Sequence, residues 1–256
     1  MMKALIAAAG FASVLGTLTS PAFAQDKKSD SPHTFTGNIG LVSEYRYRGI
    51  SQTDFAPAVQ GGFDYAHANG VYLGTWASNV SWLSDTGLAN NSLEWDFYGG
   101  YKRSFGDFGV DVGLLQYYYP GRYSAWVAAG SPKPHTLEAY VAGSWKMVTL
   151  KYSHSLSDTF GFADSKGSNY LDLSANFELP QGFTLGAHVG HQKIKTSLVG
   201  VDCSYTDWKI GLSKEIVGVT VGLAYVDTDA NANCYTNYRG KNLGKGAAVL
   251  SVSKTF

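Results

Sequence analysis

"LEWDFYGGYKRSF", residues 93–105, alternates along its length. Leu93, Trp95, Phe97, Tyr101 and Phe105 fall on one side of an extended chain. Glu94, Asp96, Tyr98 and Lys102 fall on the other. Successive side chains of a strand point to opposite faces, so this spacing predicts a two-faced strand. A soluble sheet turns such an apolar face onto a core. A membrane barrel does the reverse, with lipid on the apolar side and a wet lumen on the charged side. The rest of the chain decides between them.

The same alternation recurs along the mature sequence. An opening strand carries Phe35, Ile39 and Leu41 outward. Its continuation, "LVSEYRYRGISQT" (41–53), sets Tyr45 and Tyr47 toward lipid, with Glu44, Arg46 and Arg48 toward the lumen. The second strand has Val59, Phe63 and Tyr65 opposite Gln60 and Asp64. The third, 70–80, alternates poorly, and its faces stay unassigned. Later strands face Asp111, Glu138 and Lys146, Lys151, Asp172 and Glu178, His188, and Lys209 inward. Their outer faces hold pairs such as Val110 and Val112, Leu171 and Leu173, and Leu250 and Val252. That makes about 12 strands of roughly 9–13 residues, an even number of the length a barrel needs. Helical periodicity is absent. The expected fold is all-β: a transmembrane antiparallel up-and-down β-barrel.

The connections sort by length. Short ones are 67–70, 105–108, 146–147, 180–182 and 215–218; long ones centre on 49–57, 81–91, 120–135, 157–168, 196–204 and 229–245. They alternate in order. Short periplasmic turns and long extracellular loops are the barrel pattern. Aromatics also sort by height. Phe35, Tyr65, Tyr72, Phe105, Phe108, Trp145, Phe183 and Phe256 mark the periplasmic rim, and Tyr45, Tyr47, Trp95, Tyr118, Trp208 and Tyr225 the outer one. Amphipathic rings belong at both interfaces.

Composition agrees. Only 16% of residues are charged, against about 25% in an ordinary soluble domain. Positive and negative residues balance at 20 each, which gives no footprint for nucleic acid. Lys3, the apolar stretch Ala4 to Leu18, and Ala22-Phe23-Ala24 read as a cleaved signal peptide over 1–24. Residues 25–33 form a short polar tail and 34–256 the barrel. No later run is long enough for a membrane helix. The outer membrane of a Gram-negative bacterium is the expected location.

Cys203 and Cys234 fall in neighbouring long loops of an exported chain, which suggests a disulfide. Metal binding would need more ligands nearby, so no metal and no cofactor is expected. No nucleophile and base share a face. Ser153, His154 and Ser155 alternate, and His188 and His191 oppose each other. No catalytic residue is assigned.

The closing "AAVLSVSKTF", ending in Phe256, resembles the C-terminal sorting signal read by the barrel-assembly machinery. Lys254 sits where that signal usually has an apolar residue. "YRYRGISQT" (45–53), "PAVQGGFDY" (57–65), "GVYLGTWASNV" (70–80) and "LEWDFYGGYK" (93–102) resemble the TorF-type porins. This is a proteobacterial family long described as conserved proteins of unknown function. The family's Gly-x-Trp element stands here as Gly74-Thr75-Trp76. The resemblance implies an outer-membrane barrel with a pore role. It brings no catalytic residues and no defined substrate.

The lumen would then receive Glu44, Arg46, Arg48, Asp64, Glu94, Asp96, Lys102, Asp111, Glu138, Lys146, Lys151, Asp172, Glu178 and Lys209. These charges either line a water-filled channel or pair across a plugged one. The first reading is passive diffusion of small hydrophilic solutes or ions. The second is a non-conducting structural or surface-contact barrel, and a lipid-modifying barrel enzyme ranks below both. Expected partners are outer-membrane lipid, the assembly machinery and small solutes, with a homo-oligomer left open. The loop 120–135, with Tyr123, Trp126 and Val127, would fold inward as a constriction or outward as a contact.

Overall fold

The computed structural model describes residues 31–196 and 200–256. The signal peptide and most of the polar tail lie outside them. The described chain runs β1 (His33–Val42), β2 (Arg46–Tyr47), β3 (Ile50–Ser51), β4 (Ala58–His67), β5 (Val71–Asn79), β6 (Leu93–Phe105), β7 (Phe108–Tyr118), α1 (Ser124–Ala128), β8 (Thr136–Trp145), β9 (Val148–Ser155), β10 (Asn169–Leu179), β11 (Phe183–Lys193), β12 (Tyr205–Ile216), β13 (Val219–Thr228), α2 (Ala232–Tyr235) and β14 (Ala247–Thr255). Twelve of these strands, all but β2 and β3, close into one barrel. Each pairs antiparallel with its sequence neighbour, and β1 seals the ring by pairing with both β4 and β14. Phe256 extends the seam: Gly37 and Phe256 exchange backbone hydrogen bonds at 2.7 and 2.9 Å.

Closure leaves the described barrel no free edge, so its backbone groups are satisfied inside the sheet. The apolar stripe faces out. Ile39, Phe63, Val112, Val141, Leu173, Ile210 and Leu250 are all exposed around the circumference. Trp95, Tyr118, Trp208 and Tyr225 ring one end, and Phe35, Phe105, Phe108 and Trp145 the other. These belts fit a membrane's two interfaces. Short and long connections segregate to opposite rims: β4 to β13 pair off through two- or three-residue turns on one side, and long loops join the strands on the other.

Two parts of the sequence reading need correction. The first strand ends at Val42, not Tyr47. Beyond it the chain bends inward and makes a two-stranded hairpin, with Arg46 opposite Ser51 and Tyr47 opposite Ile50. Its turn residues, Arg48 and Gly49, have φ of 45° and 79°. A two-residue hairpin turn needs positive φ at both central positions, which Gly49 adopts without strain. A segment surrounded by barrel has no lipid side. Tyr45 and Tyr47 therefore point into the interior, and Tyr45 is only 2% exposed. The second correction is Tyr72, which faces inward from β5 and is buried. Trp76 does the same, so β5 has an aromatic inner face, and that is why its alternation is illegible in sequence.

Candidate functional site

The inward segment 43–57 fills the outer half of the lumen. It is held by side chains from many strands. Arg48 donates two hydrogen bonds to Glu138 of β8, Nη1 to Oε1 at 3.1 Å and Nη2 to Oε2 at 2.7 Å. Its Nη1 also donates to Gln192 of β11 at 2.6 Å. The guanidinium lies between two rings, 4.8 Å from the Tyr47 centroid and 4.3 Å from that of Tyr170. Arg46 and Glu44 make a buried pair at 2.8 Å within the segment. Arg46 also donates to the Gly49 carbonyl at 2.8 Å, which fixes the hairpin.

Two tyrosines bind Glu94 from above. Tyr45 donates to Oε1 at 2.7 Å and Tyr119 to Oε2 at 2.8 Å. Burial, then the Glu94 and Asp96 charges, hold both phenols well above the ordinary tyrosine pKa, so they remain donors. Tyr47 and Tyr117 share a hydrogen bond at 2.6 Å, and Tyr117 reaches Glu138 at 3.3 Å.

Deeper in the barrel the wall is polar and more open. Tyr98 donates to Asp64 at 2.6 Å and Tyr72 to Asp111 at 2.5 Å. Tyr72 and Tyr140 are also hydrogen-bonded. Lys102 and Lys151 stand over the rings of Tyr72 and Tyr140, at 5.5 and 4.2 Å. His188 bridges two carboxylates, Asp172 at 2.5 Å and Asp207 at 2.6 Å. Lys209 lies beside His188 in register. Ser174 donates to Asp172.

Most residues expected in the lumen are inside the barrel, but not as one lining. Glu44, Arg46 and Arg48 belong to the inward segment rather than to the wall. Lys146 does not face the lumen. It occupies the tight turn between β8 and β9 with φ of 52°, exposed, its Nζ 5.1 Å from the Trp145 ring. A turn residue is released from strand alternation, which is the physical reason for the error. Glu178 is at the periplasmic mouth, exposed and accepting from Thr184 at 3.3 Å. In the loop 120–135, Tyr123 is buried in one cluster with Tyr45 and Tyr117, Trp126 packs against that cluster and donates to the Pro132 carbonyl at 2.7 Å, and Val127 is exposed.

Sequence reasoning sets Gln192 on the inner face of its strand beside His188, but gives no weight to Asp207 or Tyr170, which complete these networks. Asp207 was available from parity, two residues before Lys209 on the same face. Cys203 and Cys234 are disulfide-bonded, with Cα atoms 5.7 Å apart. The bond ties the loop after β11 to the loop after β13. Among the described residues no group of His, Cys, Asp or Glu side chains forms a metal cluster.

The family described as "Bacterial protein of unknown function (Gcw_chp)" matches residues 26–256, nearly the whole chain. The chain belongs to the Gcw_chp family. The match neither carries nor contradicts the TorF-type name of the sequence resemblance. No curated protein matches the sequence. Among the solved structures that match, two share the chain's fold with a TM-score of 0.50 or more over nearly their whole length. The KdgM porin, solved in complex with disordered oligogalacturonate, is 8% identical over 87% of this chain and 98% of its own, with a TM-score of 0.51. The COG4313 outer membrane channel from Pseudomonas putida F1 is 11% identical over 91% and 98%, with a TM-score of 0.50. At these identities the likeness is one of fold: an outer-membrane porin-like barrel.

Proposed function

We propose that this Gcw_chp protein is an outer-membrane channel for small hydrophilic solutes or ions, closed at its outer half by the segment 43–57. One observation carries the reading. The barrel encloses charges and hydroxyls of both signs, where a purely structural barrel would be served by an apolar filling. The charges are also arranged. Asp64, Glu94, Asp96, Asp111 and Glu138 stand on β4 to β8, with Lys102 the one base among the inner residues named there. Lys151, His188 and Lys209 stand on β9 to β12, with Asp172 and Asp207 beside them. A transverse field of this kind sorts polar solutes by charge.

The outer half is sealed in this conformation. Glu94, Asp96 and Glu138 are 0–1% exposed, whereas the Asp172 and His188 side chains deeper down are 14–15% exposed. Opening requires the hairpin to leave its pocket. That filled interior also favours a second reading, a non-conducting barrel. The porin and channel folds it resembles support a non-enzymatic role.

Single-channel recording of the refolded mature chain in a planar bilayer tests the proposal. Discrete steps that grow larger or more frequent on Arg48→Ala support a gated pore. Inserted, folded protein that never conducts, with or without Arg48, removes the channel.

A further inference from the structure

Asp96 is 0% exposed, and neither of its carboxylate oxygens has a hydrogen-bond partner among the described residues. An ionised carboxylate offers about four acceptor positions. Burying one unmatched is among the costlier things a fold can do. Its neighbours make matters worse. Glu94 is nearby on the same inner face, and Glu138 is taken by Arg48. No ion pair reaches Glu94 or Asp96 among the described residues. Of these three carboxylates, only Glu138 has an ion-pair partner among the described residues.

We propose that Asp96, in the field of Glu94 and Glu138, binds a small inorganic cation inside the barrel. Protonation of Asp96 is a poorer answer, because it would still leave the other oxygen without a donor. A buried water would satisfy the oxygens but leave the charge. The surroundings suit a cation. Register places Trp76 on one side of Asp96 and Tyr117 on the other. Tyr45 packs edge-on against Trp76 at 5.7 Å and Tyr47 against Tyr117 at 5.5 Å. Ring faces attract cations. The two tyrosines of the inward segment thus roof the site, so the occupant and the closed hairpin stabilise each other. With one carboxylate as direct ligand, the site is weak.

The inference does not rest on conduction, and its test is separate. The refolded chain in detergent micelles is titrated with sodium, potassium, magnesium or calcium chloride at constant ionic strength, with tetraethylammonium chloride as the balancing salt. Near-ultraviolet circular dichroism reports the tyrosine roof, and heat-modifiable gel mobility reports stability. A saturating change with at least one metal ion, absent in Asp96→Asn, supports the site. An identical response in Asp96→Asn, or none in the wild type, overturns it. Should Asp96→Asn fail to fold, infrared spectra of the wild type decide. A carboxylate band that shifts between cations supports the site, and a carboxylic-acid carbonyl band that ignores them overturns it. Channel failure would show instead as silent bilayers with this cation response intact.

Discussion

Arg48 Nη2 lies 2.7 Å from Oε2 of Glu138, a residue 90 positions further along the chain. Glu138 stands on β8, five strands from β1 by one route around the ring and seven by the other. The pair therefore spans the barrel and pins the hairpin 46–51 across its axis. Removing one partner strands a buried charge, at a cost of about 3–5 kcal/mol. Arg48→Ala and Glu138→Gln should each lower unfolding stability by that order, measured by denaturant titration in micelles. The double variant should cost less than the sum. Arg48→Lys should not rescue, because an ammonium cannot make the two-pronged contact. Additive effects would show that the pair is not the pin.

Gly74 faces Tyr98 across the β5–β6 ladder. A Cβ at position 74 would collide with the Tyr98 ring. The ring lies flat over the bare backbone and its hydroxyl reaches Asp64 at 2.6 Å. Gly74→Val should displace Tyr98 and destabilise by about 1–3 kcal/mol, the usual cost of overpacking. A Tyr98→Ala background should remove most of that penalty. Unfolding of the two single variants and the double variant checks it.

How much of this was legible beforehand follows from where the alternation rule applies. β6 and β10 each have lipid on one face and lumen on the other, so their side chains report the face directly. Eleven of the twelve barrel strands follow from that one constraint; β5, with Tyr72 and Trp76 on its inner face, does not. The rule fails where a residue has left the wall. Lys146 is in a turn, and Tyr45 and Tyr47 are in a segment folded back into the barrel. Nothing local distinguishes "SEYRY" as wall from "SEYRY" as plug. Only Gly49 after Arg48 hinted at the turn. Partnerships such as Arg48 with Glu138 depend on the curvature of the closed ring, which no linear pattern encodes.

The disulfide joins Cys203 and Cys234, 31 positions apart. Cross-linking a loop of that length restricts the unfolded chain by about 3–4 kcal/mol on the chain-entropy view. Reduction, or Cys203→Ser with Cys234→Ser, should lower the temperature at which the heat-modifiable gel band shifts. Tyr235 donates to the Cys203 carbonyl at 2.7 Å, so the loops should stay partly docked and the barrel should remain closed. Loss of the folded band at room temperature would mean that the bond is needed for folding rather than only for stability.

His188 bridges Asp172 of β10 and Asp207 of β12, and Tyr170 donates to Asp207 at 2.8 Å. The three strands are consecutive in the ring, so one imidazole ties their inner faces together. His188→Leu keeps much of the bulk but removes both hydrogen bonds. The two carboxylates would then face each other with Tyr170, Ser174 and the neighbouring Lys209 and Lys151 to compensate. The expected cost is about 1–3 kcal/mol, the range for buried groups left unsatisfied. His188→Gln, which can still donate to one carboxylate, should recover part of it. In a bilayer, should the barrel conduct, His188→Leu should also raise cation over anion permeability, because the uncovered Asp172 lies in the more open half of the lumen. Selectivity unchanged in a folded His188→Leu barrel would place this triad outside the conducting path.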